Sequence, residues 1–151
     1  MQNTRDIDEL AAAMVDLIGL LSRPGPDDLL LCEAGVDLDR ALFRLLVALD
    51  RHGSSSVGAL ADRVGRDHTT VSRQLAKLEG LGLIVRRSDG ADRRARAVTL
   101  TSAGETTAHA IASARRRLLS RALADWTAAD RAALTRLNRR LVDALAAGVG
   151  D

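Results

Sequence analysis

The apolar and polar positions of this chain repeat with a helical period over most of its length. Near the start, one set of apolar side chains recurs at spacings of three and four: Ile7, Leu10, Met14, Leu17 and Leu21. This pattern predicts a helix over residues 6–22. Pro24-Gly25-Pro26 then breaks the helix, and Leu29-Leu30-Leu31 is too short to classify beyond one helical turn.

The middle of the chain predicts three helices separated by short breaks. Asp37 or Asp39 caps the first, which Gly53 ends after four inward leucines: Leu42, Leu45, Leu46 and Leu49. Ser54-Ser55-Ser56 is a predicted loop whose last serine caps a helix over Val57 to Val64. After Gly65, Asp67 caps a third helix over roughly His68 to Leu81, with Val71, Leu75 and Leu78 facing inward. The last two helices and their glycine turn form a helix–turn–helix.

A β-hairpin and two long helices complete the predicted order. The hairpin runs from Leu83 to Thr101, with Ser88-Asp89-Gly90-Ala91 as its turn. Ser102-x-x-Glu105 is a capping box that opens a helix to about Leu123. Thr127-x-x-Asp130 opens a last helix, whose leucines are Leu134, Leu137, Leu141 and Leu145.

This order of elements predicts a mainly α fold with a small β-hairpin wing. We expect a winged helix–turn–helix DNA-binding domain over residues 37–101. Residues 5–36 and 102–148 form N- and C-terminal dimerisation helices, which bury their stripes against each other and against a second copy. The alternative is that these helices pack only within one chain.

The distribution of charge supports a polyanionic partner. The net charge of the 151 residues is +2, but residues 63–96 contain nine basic and four acidic side chains. This segment therefore carries +5 and the remainder −3, and a local basic stretch is typical of nucleic-acid binding. Phe43 and Trp126 are the only aromatic residues, which argues against single-strand binding by base stacking.

The third helix and the hairpin carry the candidate DNA contacts. The outward positions of the helix are His68, Thr69, Thr70, Ser72, Arg73, Gln74 and Lys77. Arg73 suits a bidentate contact to guanine and Gln74 a contact to adenine in double-stranded DNA. The hairpin adds Arg86, Asp92, Arg93, Arg94 and Arg96, of which those near the tip suit a minor groove. The alternative is a solvated edge whose arginines only keep it soluble.

At these residues the chain resembles the MarR family, the multiple antibiotic resistance regulators. The similar motifs are Asp67-His68-Thr69-Thr70-Val71-Ser72-Arg73, Leu78-Glu79-x-x-Gly82-Leu83-Ile84, Asp89-x-x-Asp92-Arg93-Arg94 and Leu100-Thr101-x-x-Gly104. The resemblance implies a homodimer that binds a pseudo-palindromic operator and usually represses transcription. It also implies that Arg94 enters the minor groove and that Asp92 orients it. Many relatives have an acid in the middle of the recognition helix that ties it to the wing; here Ala76 stands there.

The resemblance further implies release from DNA by a small phenolic or lipophilic effector. The candidate pocket residues are Cys32, Phe43, Val47 and His109. Each also has a simpler interpretation: Phe43 and Val47 as core, His109 as a surface histidine, and Cys32 as a small buried hydrophobe. Some relatives sense oxidants through a cysteine, so oxidant sensing by Cys32 is an alternative.

Other function classes find no support in the sequence. The three histidines lack the close spacing of a metal cluster, and no enzyme motif or cofactor site is present. The single cysteine, the missing signal peptide and the absence of a long apolar run predict a cytoplasmic protein with no membrane partner. The remaining alternative is a winged-helix module that assembles with an acidic protein and has no sequence-specific DNA binding.

Overall fold

The computed structural model describes residues 2–88 and 96–148. Its elements in chain order are α1 (Gln2–Ser22), α2 (Pro24–Ala34), α3 (Arg40–His52), β1 (Ser55–Ser56), α4 (Val57–Val64), α5 (His68–Gly80), β2 (Ile84–Ser88), β3 (Arg96–Leu100), α6 (Ser102–Ala122) and α7 (Ala128–Gly148). Ser88, the first residue of the predicted hairpin turn, ends β2, whereas the other three turn residues lie outside the described residues, as do Asp92, Arg93 and Arg94.

Side-chain caps begin three of the central helices, as the sequence predicts. The Asp39 side chain, rather than that of Asp37, accepts the N–H of Leu42 at 2.9 Å. Ser56 accepts the N–H of Ala59 at 3.1 Å at the start of α4. Each cap satisfies one of the backbone donors that a helix leaves unpaired in its first turn.

The leucines after the Pro-Gly-Pro break belong to a full helix, not to one turn. Helix α2 has 11 residues and begins at Pro24. Proline is favoured there because its ring fixes a helical φ and its missing N–H would have no partner in the first turn. Gly35, with φ of 66°, ends the helix.

The sheet has three strands in the order β1-β3-β2, all antiparallel. The hairpin β2–β3 is confirmed, with Ile84 opposite Leu100 and Arg86 opposite Val98. The predicted serine loop is wrong in part, because Ser55 and Ser56 pair with β3 as a third strand. A strand of two residues has no alternating pattern that the sequence could reveal.

One apolar core joins α3, α4, α5 and the sheet. Its buried members are Leu42, Leu45, Leu49, Leu60, Ala61, Val71, Leu75, Leu78, Ile84 and Val98. Most of the inward positions predicted for the first and third of these helices are therefore confirmed. Full burial of one such leucine contributes roughly 1.5–3 kcal/mol to the stability of the fold. The cluster therefore holds α4 and α5, the two helices of the helix–turn–helix, at a fixed angle.

The chain divides into two compact units, Met1–Arg115 and Arg116–Asp151. This boundary lies inside α6, whereas the sequence places a domain boundary at residue 101. Apolar stripes on α1 and α7 remain largely open in the single chain, with exposed fractions between 46 and 58% for Ile7, Leu10, Leu17, Leu21, Leu134, Leu137 and Leu145. No helix in the described part of the chain is long and apolar enough to span a membrane.

Candidate nucleic-acid interface

Helix α5 presents the candidate reading surface at the edge of the core. Val71, Leu75 and Leu78 are fully buried and hold one face of the helix against α3 and α4. On the opposite face, His68, Thr69, Arg73 and Lys77 are exposed, whereas Thr70, Ser72 and Gln74 are half-buried. The structure therefore brings all seven helix residues predicted to contact DNA onto the open side or flanks of one helix.

Asp67 fixes the start of this helix and engages Thr70. Its Oδ1 accepts the backbone N–H of Thr70 at 2.8 Å, and its Oδ2 accepts the Thr70 hydroxyl at 2.6 Å. The hydroxyl bond, and after it the backbone bond, holds the pKa of Asp67 below its ordinary value. Because the Thr70 hydroxyl donates its hydrogen to Asp67, it can act toward DNA only as a hydrogen-bond acceptor.

Arg86 turns inward from β2 and ties the wing to the recognition helix. Its Nη2 donates to the backbone carbonyl of Ser72 at 2.9 Å, and its Nε lies 3.4 Å from Oε2 of Glu79. The Nε contact is an ion pair but not an aligned hydrogen bond. Only 16% of the Arg86 side chain is exposed, and its contacts favour a role in holding the wing against α5. The DNA contact predicted for Arg86 stays a prediction.

Glu79 supplies the acid that the resemblance places near the middle of the helix. Ala76 is exposed and cannot form such a link, whereas Glu79 lies one turn further on. Ser72 and Glu79 are seven residues apart, close to two turns, and so share one flank of α5. This role was not predicted from the sequence, although Glu79 stands in one of the quoted motifs.

A tight joint fixes the base of the wing. Thr101 Oγ1 donates to the carbonyl of Gly82 at 2.6 Å and accepts the N–H of Gly104 at 3.1 Å. Thr101, not the predicted Ser102, is thus the residue whose side chain caps α6. Leu83 O accepts the N–H of Thr101 at 3.0 Å, and a Cβ added at Gly104 would stand 2.0 Å from the same oxygen. The glycine therefore permits the helix to approach the strand.

The described part of the wing carries further positive charge. Arg87 is exposed on β2, opposite Ala97. The backbone of Arg96 pairs with Ser88 at the first described position of β3. The roles predicted for Asp92, Arg93, Arg94 and the Arg96 side chain stay predictions.

An arginine-lined cavity lies on the flank of α5 away from Ser72. We call it the arginine notch: a cavity of about 180 Å³ lined by Arg40, Ala41, Arg44, Val64, Arg66 and Gln74. Arg40 Nε and Arg44 Nη2 both contact Oδ2 of Asp27, at 3.3 and 3.2 Å. Arg40, Arg44 and Arg66 were not predicted as site residues from the sequence, because residues from three helices form the cavity.

The candidate effector residues do not converge on a described cavity. Phe43 is buried and Val47 half-buried, in agreement with their simpler interpretation as core. Cys32 is exposed, so its interpretation as a buried hydrophobe is wrong. His109 is exposed, with Nδ1 2.9 Å from the carbonyl of Glu105. Neither the arginine notch nor the second cavity, which Leu119, Leu123 and neighbouring residues line, includes any of the four.

Metal-binding geometry is not found in the described ranges. Among residues 2–88 and 96–148, no three His, Cys, Asp or Glu side chains are grouped closely enough to hold a metal ion.

The fold and this surface define a winged helix–turn–helix protein. The MarR family model matches residues 36–95. Over 111 residues the chain is 32% identical to the HTH-type transcriptional regulator YxaD of Bacillus subtilis strain 168, covering 71% of this chain and 78% of that protein. The chain belongs to the MarR family, whose members are transcription regulators and not enzymes.

Solved structures share the fold. A MarR family protein from Bacillus stearothermophilus aligns with a TM-score of 0.79 at 20% identity, covering 95% of this chain and 97% of that one. RV1404 from Mycobacterium tuberculosis aligns with a TM-score of 0.73 at 24% identity, covering 91% of this chain and 92% of that one. Wild-type apo MarR from E. coli aligns with a TM-score of 0.67 at 20% identity, covering 86% and 95%.

Proposed function

We propose that this DNA-binding regulator acts as a homodimer on an inverted-repeat operator, represses transcription there, and is released by a small-molecule effector. The observation that carries the proposal is the exposed basic face of α5, held rigidly by its cap, the core and Arg86. Because these contacts already fix the backbone of the helix, less ordering has to take place on the DNA, which favours affinity.

Arg73 is the main base-reading residue of the proposal. It lies exposed on the face of α5 opposite Val71 and Leu75. A guanidinium there has the fork geometry that pairs with O6 and N7 of guanine in the major groove. Lys77, one turn further on and also exposed, suits a phosphate or a second base.

A random-site selection followed by binding measurements tests this assignment. The expected consensus is an inverted repeat whose half-site centres are about one helical turn, roughly 34–36 Å, apart. Arg73→Ala should reduce the free energy of operator binding by roughly 1–3 kcal/mol per contact. It should also relax the base preference at one position of each half-site. Arg51→Ala is the matched control, because Arg51 is exposed in the last turn of α3. Selection without a palindrome would contradict the proposal.

The dimer rests on the apolar stripes of the terminal helices. Leu17 on α1 and Leu137 on α7 are 54% and 51% exposed, and both belong to stripes of similar side chains. Continuous apolar stripes of this length are typical of surfaces that another protein surface covers. A second copy gives two recognition helices related by a twofold axis, which is what an inverted repeat requires.

The mass of the protein in solution tests the dimer. Leu17→Asp should shift sedimentation equilibrium toward the 16.1 kDa monomer and weaken operator binding. Leu81→Asp is the control, because Leu81 has a similar exposure of 57% but follows α5, outside the terminal helices. Equal dimerisation of the two variants would argue against this interface.

Oxidant sensing is a second candidate because Cys32 is exposed and therefore accessible. It requires that peroxide release the protein from its operator and that Cys32→Ser prevent that release. A small-molecule effector instead predicts that Cys32→Ser leaves release intact. Binding to an acidic protein without any sequence preference for DNA would favour the alternative of an assembly module.

A further inference from the structure

The arginine notch is open to an anion because its positive charge is only partly compensated. Three guanidiniums, from Arg40, Arg44 and Arg66, line the cavity. Asp27 is their described acidic partner and contacts only Arg40 and Arg44. Arg66 has no side-chain partner among the described residues, so the group keeps an excess of two positive charges.

Two of the three arginines of the notch are held in place before any ligand arrives. Asp27 is 16% exposed and binds both arginines of α3 from α2, while the side chain of Arg40 is 35% exposed and that of Arg44 50%. Each guanidinium therefore has donors that still face outward. Arginine forks placed in this way favour a phosphate, which accepts two parallel hydrogen bonds from one guanidinium.

The position of the notch on α5 indicates which anion it meets. At about 100° per residue, Gln74 lies on one side of the buried stripe of α5, and Ser72 and Glu79 lie on the other. Arg86 and the wing occupy the side of Ser72. A helix in the major groove, about 12 Å wide, has one phosphate backbone along each flank. The notch lies on the flank opposite the wing.

We propose that the arginine notch binds a backbone phosphate of the DNA strand on the side of α5 away from the wing. The proposal rests on the function proposed above and extends the interface to α3 and the turn before α5. Arg44 and Arg66 donate to the phosphate oxygens, and the Gln74 amide donates beside them. Such a contact carries no sequence information, but it fixes the register in which Arg73 meets a base.

Salt dependence of binding distinguishes this contact from base reading. In Arg66→Ala, affinity should fall by the same factor on operator and on unrelated duplex. The slope of log K against log salt should become shallower by about 0.9 for each phosphate that the protein no longer neutralises, hence by about 1.8 for a dimer. Arg66→Ala should fold normally, since the side chain has no partner among the described residues, and a thermal melt checks this. Arg51→Ala should keep the wild-type slope.

A scan with neutral methylphosphonate linkages identifies the phosphate itself. For the wild type, neutralising the phosphate that the notch contacts in each half-site should weaken binding, whereas Arg66→Ala should lose clearly less affinity at that position than the wild type does. Independent, additive losses of affinity, or a slope equal to that of Arg51→Ala, would overturn the proposal. If the wild type binds the unmodified palindrome, the proposed function stands whatever the scan shows. If it does not, the proposed function itself is refuted.

Discussion

An alanine at position 104 would place its Cβ 2.0 Å from the carbonyl oxygen of Leu83, where ordinary contacts begin at 3.4 Å. The obstacle is backbone on both sides, so relief requires α6 and the entry to β2 to separate by well over an ångström. That movement also strains the bond from Thr101 N–H to the same oxygen. Overpacking of about 3 kcal/mol and a hydrogen bond of about 1 kcal/mol outweigh the helix propensity gained, about 1 kcal/mol.

Gly104→Ala should therefore destabilise the protein by about 3 kcal/mol, which lowers Tm by roughly 6–12 °C for a chain of this size. Urea unfolding at one fixed protein concentration measures the change. Gly58→Ala in α4 is the matched control, because nothing lies within 4 Å of its Cβ and alanine favours the helix by up to about 1 kcal/mol. If the Gly104 variant proves as stable as the Gly58 variant, the close approach of α6 to the carbonyl of Leu83 does not stabilise the base of the wing.

Three further predictions concern the bonds of α5 and of the wing base. Arg86→Met should weaken operator binding without changing its salt slope, because the guanidinium binds Ser72 O; a slope shallower by about 0.9 per phosphate would assign Arg86 to the DNA backbone. Because the pKa of Asp67 is lowered in the folded state, the ionised carboxylate stabilises the fold above the ordinary carboxyl pKa, and this stabilisation disappears as pH falls through the folded value. Asp67→Asn should thus flatten the acid limb of a stability–pH curve, and an unchanged limb would refute this. Thr101→Val should lower the urea midpoint, whereas Thr101→Ser, which keeps the hydroxyl, should restore most of it.

Much of the fold could be predicted because its signals are local. The caps at Ser56 and Asp67 act on backbone N–H groups three residues away, and the buried stripe of α5 repeats within three turns. The bounds predicted for α4 match the structure, and those of α5 differ by one residue. Period and capping are properties of a few neighbouring residues, so no tertiary information was needed for them.

The candidate site was only partly predictable. Outward positions on α5 follow from its periodicity, but periodicity cannot tell which flank meets the wing and which meets α3. The sequence predicts Arg86 as a DNA contact because it shows the charge of the residue but not its burial. The roles of Glu79 and of the arginines of α3 cannot be predicted from local pattern, because their partners are 7 to 17 residues away along the chain.

The order of residues was enough to predict the helices, most of their caps, the hairpin, the basic central segment and the resemblance to the MarR family. The packed structure was needed to show that β1 joins the sheet, that Thr101 caps α6, that Arg86 braces α5 and that three helices form the arginine notch. The difference lies in the range of the interactions. Helical hydrogen bonds and caps join residues three or four apart in the chain. The contacts of Arg86 and the lining of the notch depend instead on how whole helices and strands pack against each other.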